Sequence, residues 1–197
     1  MKRLITFAVM LLLAASATAQ TSTETQKKPK GPFSFGIGCD FAIFASETYK
    51  NENIDRTKVG GFGGMLMIDL NFDYAITPRW TTGIVTGIGY AGVPILFEAK
   101  HFWSDDVNRS RWLTYARAGV NLSGPSDFHV GMQGGIGGGY RFHIAPRFKI
   151  DLTAGYHFLQ THQNIKRRVF AGSMEGVSIE EAKFNAHAFS IGVGFVF

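Results

Sequence analysis

Six histidines, one cysteine and scattered charged groups carry whatever chemistry this chain can do. His187 and Ser190 are the most suggestive pair, because a serine beside a histidine can hydrolyse or transfer acyl chains. Their spacing is three, so on one strand they point to opposite faces and cannot share a hydrogen bond. His129 and His157 take the polar parity of their segments, but neither has a serine on its own strand face to act as a nucleophile. His101 and His143 fall near turns, where an ordinary boundary histidine suffices. No His/Cys/Asp/Glu group shows metal-ligand spacing. "GGIGGGY" at 134–140 follows no strand-to-helix plan, so no phosphate loop is indicated. No catalytic, cofactor-binding or metal residue is assigned, and no enzyme is expected.

The charged residues are more informative through their alternation. Asp69, Asn71 and Asp73 stand at every second position between Ile68, Leu70, Phe72 and Tyr74. Period two is the mark of a strand with two unlike faces. The same split recurs along the chain and predicts strands near 33–45, 60–76, 79–90, 92–103, 111–122, 127–143, 147–160 and 184–197. "ITPR" at 76–79 and "IAPR" at 144–147 are near-copies, each a tight proline turn followed by an aromatic residue, as in a repeated up-and-down meander. With "SDDVNRSR" at 104–111 they define a short-turn end. The connections at 46–59 and 161–183 define a long-loop end, and an even strand count returns both termini to the short turns.

Composition narrows the class. Lys2 and Arg3, an apolar run from Leu4 to Ala15 and the small residues Ala17-Thr18-Ala19 read as a secretory signal peptide over 1–19. Residues 20–32 read as a flexible lead-in, which leaves 33–197 as one domain. Loss of Lys2 and Arg3 lowers the formal charge from +5 to +3, an excess too small to argue for a nucleic-acid partner. Cys39 is the only cysteine, so no internal disulfide can form, and its outward parity reads as a small apolar side chain. No later apolar run reaches the ~18 residues of a membrane helix.

The direction of the two faces decides between two barrels. A soluble lipocalin-type carrier turns its apolar face inward. Here the apolar face carries an aromatic residue at the short-turn end of every strand: Phe35, Tyr74, Trp80, Trp103, Trp112, Phe142, Phe148 and Phe197. Eight aromatics at one level form a girdle of the kind found at a membrane interface. Phe62, Tyr90, Phe128, Tyr156 and Phe158 supply a second, less complete ring. The other face is rich in glycine and carries Asp40, Asp69, Asn71, Asp73, Glu98, Lys100, Arg117, Gln133, Arg141, Lys149, Asp151 and His157. Opposite charges nearly cancel there, which predicts a salt-bridged network filling a closed lumen. The expected fold is therefore all-β: an eight-stranded antiparallel up-and-down transmembrane β-barrel.

The ending "FNAHAFSIGVGFVF" places Phe189, Ile191, Val193, Phe195 and Phe197 on the outward face. It resembles the terminal strand signal that the barrel-assembly machinery of Gram-negative bacteria reads. With "ITPRW", "GIGY", "VPILFEAKHFW" and "TYARAGVNL", the chain from 33 to 197 is similar to the outer-membrane β-barrel domain family of Bacteroidota, an OmpX/OmpA-like eight-stranded barrel. That resemblance implies a location in the outer membrane of a Gram-negative bacterium, contact with its lipid, and no single activity. Lys166, Arg167 and Arg168 form a basic cluster that could meet lipopolysaccharide phosphates. A structural, adhesive or partner-binding role through external loops is expected. A narrow solute or ion channel is the alternative, with a lipid-modifying enzyme behind it.

Overall fold

The computed structural model describes residues 32–52, 55–59, 64–89, 92–123, 129–171 and 174–197, and of 44–45, 56–59, 64–65, 163–171 and 174–179 only the backbone. The leader at 1–19 and almost all of the lead-in fall outside these residues, as do Phe62, Tyr90 and Phe128 of the second ring. The described residues form nine strands: β1 (Phe33–Lys50), β2 (Asp55–Val59), β3 (Gly64–Ala75), β4 (Trp80–Ile88), β5 (Val93–Phe102), β6 (Arg111–Ser123), β7 (His129–Ala145), β8 (Phe148–Ala171) and β9 (Met174–Val196). β1 pairs antiparallel with both β2 and β3, each strand from β3 to β8 pairs antiparallel with the next in the chain, and β1 pairs with β9 to close the sheet.

Nine strands make only eight staves. β2 and β3 both pair with β1, β2 against Ser46–Lys50 and β3 against Phe33–Ile43, so they occupy one position around the barrel. The expected all-β, closed, eight-stranded antiparallel barrel is what the chain forms.

The two expected long loops are corrected. Residues 46–50 and 55–59 continue the ladder as a hairpin instead of forming a polar connection. Most of 161–183 is likewise strand, with β8 and β9 paired from Lys149↔Val196 as far as Ala171↔Met174. The physical reason is that backbone hydrogen bonds do not depend on side-chain character, so the ladder continues after the apolar alternation in the sequence ends. Past Gln160, β8 pairs only with β9 among the described residues, and β9 leaves β1 at Lys183. Asn164–Ala171 and Met174–Glu181 thus form a two-stranded ribbon of eight residues a side, roughly 27 Å at ~3.4 Å per residue.

The other end is compact. Ile76 N–H and Thr77 N–H donate to the Trp80 carbonyl, and Trp80 N–H donates to Thr77 Oγ1 at 3.0 Å. Arg79 pairs with Asp105, which joins this turn to the 103–110 turn. The start of β1 and the end of β9 meet here, since Phe197 N–H donates to the Phe35 carbonyl at 2.8 Å. The opposite β4–β5 connection ends on Gly92, whose φ of 134° only glycine adopts readily.

Candidate functional site

Burial is inverted relative to a water-soluble domain. Ile191 is 70 % exposed and Ile136 64 %, whereas Asp69 and Asp73 are each 3 % exposed. Strand parity produces this directly. On β6, Arg111, Leu113, Tyr115 and Arg117 point inward while Trp112, Thr114, Ala116 and Ala118 point outward.

All twelve predicted polar residues take inward positions, and most are joined by ion pairs. Arg117, on β6, reaches across the lumen to Asp40 on β1 (2.5 Å) and Asp69 on β3 (3.4 Å). Its Nη2 also lies 3.0 Å from a ring nitrogen of His157, and because a guanidinium only donates, the imidazole accepts. Lys100 Nζ sits 2.9 Å from Asp73 and 2.8 Å from Glu98. Arg141 and Asp151 face each other directly across β7 and β8 and form a two-pronged pair, each contact 2.6 Å. Such bidentate geometry is the strongest form of this interaction. Gln133 donates to Met67 Sδ at 3.6 Å. Asn71 lines the small cavity at the centre of the network, and Lys149 is buried on β8 below Asp151.

Arg111 is an inward residue the alternation did not single out. It is buried, and its Nη1 donates to the Pro78 and Ser104 carbonyls at 2.7 and 3.0 Å. Its guanidinium lies 3.8 Å from the centre of the Phe102 ring, and that of Arg141 lies 4.6 Å from it. A cationic group beside an aromatic face is attracted by the ring quadrupole, and the fully buried Phe102 packs against both guanidiniums at the short-turn end of the lumen. With Arg111 included, the described lumen holds five acids (Asp40, Asp69, Asp73, Glu98, Asp151) and five bases (Lys100, Arg111, Arg117, Arg141, Lys149).

Cross-strand glycines make room for these groups. Asp40 stands opposite Gly192, Asp69 opposite Gly38 and Gly87, Asp73 and Glu98 both opposite Gly83, and Arg117 and His157 both opposite Gly135. A Cβ at Gly192 would overlap Asp40 Oδ1, and one at Gly83 would lie 2.6 Å from Asp73 Oδ1. Tyr115 needs Gly137 in the same way, since a Cβ there would be 2.6 Å from its hydroxyl oxygen.

The expectation that charge fills the whole barrel is corrected. Toward the ribbon end the lumen holds a mainly apolar cluster of Ala42, Met67, Leu159, Phe184, Ala186 and Ala188, with the Tyr49 ring tilted 4.9 Å from Phe184 and the uncharged Asn121 and Thr161 buried beside it. The polar storey encloses a cavity of about 50 Å³. That is space for a few waters at most, not for a continuous column.

On the outside, the eight predicted girdle residues all face away from the lumen. Ring contacts link them into clusters: Phe33–Tyr74, Trp80–His101–Trp103, Trp112–Tyr140–Phe142, and Phe148 with Phe195 and Phe197. Phe33, Tyr140 and His101 complete it; their outward parity was visible in the sequence. Phe189, Ile191, Val193, Phe195 and Phe197 run along the outer face of β9, with Ser190, Gly192 and Val196 inside. His187 and Ser190 lie on opposite faces, and His187 instead meets the Tyr156 hydroxyl at 2.5 Å. Lys166, Arg167 and Arg168 fall in the β8 ribbon, opposite Ile179, Ser178 and Val177. Their side chains are outside the described residues.

Geometry and burial define a closed β-barrel with an apolar exterior and a plugged, ion-paired interior. No family model and no curated protein matches the chain. Among solved structures it is similar to Neisserial surface protein A, at 14% identity over 83% of this chain and 96% of that one, with a TM-score of 0.43. It is also similar to the outer membrane protein OprG from Pseudomonas aeruginosa, at 13% identity over 85% and 97%, TM-score 0.46. The outer membrane protease OmpT from Escherichia coli is matched at 8% identity over 89% and 99%, TM-score 0.38. The class assigned here rests on strand register and burial, not on these likenesses.

Proposed function

We propose that this chain is a small integral outer-membrane barrel without catalysis, which stands in the bilayer and acts through its β8–β9 ribbon. The carrying observation is the inversion of burial, with isoleucine and tryptophan exposed around a lumen of paired charges. In water such an exterior is far larger than the few hundred Å² of contiguous apolar surface a monomer tolerates. In lipid it is the favourable arrangement, and closure of the barrel body by β1 and β9 leaves no unpaired edge there. The shortest staves, β4 with nine residues and β5 with ten, match the ~9–11 residues a tilted strand needs to cross the hydrocarbon layer.

The further assignments follow this reading. Residues 1–19 direct export, and the outward row ending at Phe197 is presented to the assembly machinery. Lys166, Arg167 and Arg168 meet lipopolysaccharide phosphates at the outer surface. The OmpX/OmpA-like barrels of Bacteroidota are the group it fits. The ribbon, not a loop, is the feature available to partners, and its role is adhesive or structural. Against a conduit stand the buried Phe102 at one end of the lumen and the mainly apolar cluster at the other.

Cell fractionation with gel mobility before and after heating tests the proposal. The protein is expected in the outer-membrane fraction, with a folded band that shifts on boiling. Recovery from the soluble periplasm without detergent would overturn it.

A further inference from the structure

Three residues far apart in the chain meet at the base of the ribbon. His129 opens β7, His162 lies on β8 and Glu181 on β9, separated by 33 and 19 residues (162 − 129 and 181 − 162). Their ligand atoms all lie within 4.8 Å of one another. His129 Nδ1 is 3.5 Å from Glu181 Oε1, and the imidazole centroids are 5.7 Å apart. Metal–ligand bonds of about 2.0–2.2 Å in a tetrahedron put donor atoms roughly 3.3–3.6 Å apart. One edge of the triangle already has that length, and small side-chain rotations would close the others.

The supporting frame is ordered. Asn51, in the β1–β2 turn, donates to the Glu181 carbonyl at 3.2 Å and to Glu180 Oε2 at 3.2 Å. Adjacent residues of a strand face opposite ways, so holding Glu180 toward Asn51 leaves Glu181 facing the histidines. Lys183, directly across from His162, is exposed.

We infer that His129, His162 and Glu181 form a binding site for a divalent transition metal of the zinc class. Two imidazole nitrogens and one carboxylate oxygen suit a borderline cation and leave a fourth position for water or a donor from another molecule. Because the ligands come from three strands, the ion would tie the ribbon to the start of β7, beyond the last β7–β8 pair at Met132↔Gln160. The inference stands on these residues alone and does not require the membrane reading.

The test is calorimetric titration of Zn²⁺ into the untagged full chain folded in detergent micelles, repeated with Co²⁺ for its ligand-field absorption. One saturable site per chain is expected. His162→Ala and Glu181→Gln should each weaken it by at least about tenfold, since even second-shell losses cost that much. Both positions are exposed, and unchanged heat-modifiable mobility would show that the variants fold. No saturable binding, or binding untouched by His162→Ala in a folded variant, would overturn the inference.

Discussion

Arg117 is the cation on which the centre of the lumen turns, and replacing it is the most informative perturbation. It compensates Asp40 and Asp69 together, both nearly buried, and His157 accepts from it as well. Arg117→Met would leave two carboxylates in a low-dielectric interior with their shared cation gone. Removing one member of a buried pair typically costs about 3–5 kcal/mol. A domain of this size has about 5–15 kcal/mol in total. With a urea slope of about 2 kcal/mol/M, the unfolding midpoint in detergent should fall by about 1.5–2.5 M. Arg117→Glu should be worse, because it changes the lumen from five acids and five bases to six and four. Adding Asp40→Asn to Arg117→Met should restore part of the loss, which separates charge compensation from simple loss of volume. A midpoint for Arg117→Glu within about 0.5 M of the parent, a shift of about 1 kcal/mol, would refute the network.

Three further outcomes are expected of the same barrel. Gly192→Ala should cost about 1–3 kcal/mol in the same urea assay, because its Cβ would displace Asp40, whereas Gly38→Ala should be nearly neutral, the nearest atoms lying 3.7 Å away. Planar-bilayer recordings should show no stepwise conductance, and a stable open level would contradict the filled lumen. Arg79 beside Asp105 holds that turn carboxyl below the usual carboxylate range. Its contribution is therefore present above the unfolded pKa and is lost as pH falls through the lower folded one. NMR titration should find the depressed value at low salt and a return toward normal in 1 M salt, while Asp105→Asn lowers the urea midpoint by no more than about 0.5 M, the ~1 kcal/mol ceiling of an exposed pair.

Period two was enough to read the barrel, because a side chain's face in a closed sheet is set by parity alone. Asp69, Asn71 and Asp73 could be placed inside from their neighbours without any knowledge of pairing. What parity does not encode is depth. Phe102, Phe184 and Leu159 share the inward positions of Lys100 and His157, so the division into a polar and an apolar storey emerges only from register. Hairpin lengths were also hidden, since Ser46–Lys50 and Thr161–Ala171 stay in strand after their alternation loses its apolar half. The His129, His162 and Glu181 group was invisible for a third reason: its members come from separate strands, and spacing along the chain carries no trace of them.

The central claim is that the aromatic residues of the short-turn end face lipid, and the chain's own fluorescence reports on it. Its three tryptophans, Trp80, Trp103 and Trp112, all lie outside the barrel, 50 %, 65 % and 64 % exposed. Reconstituted into bilayers with brominated acyl chains, the protein should lose most of its tryptophan emission. Bromines placed high on the chain should quench more than bromines near the bilayer centre, and aqueous acrylamide should quench little. Emission indifferent to brominated lipid but readily quenched from the aqueous side would contradict the account.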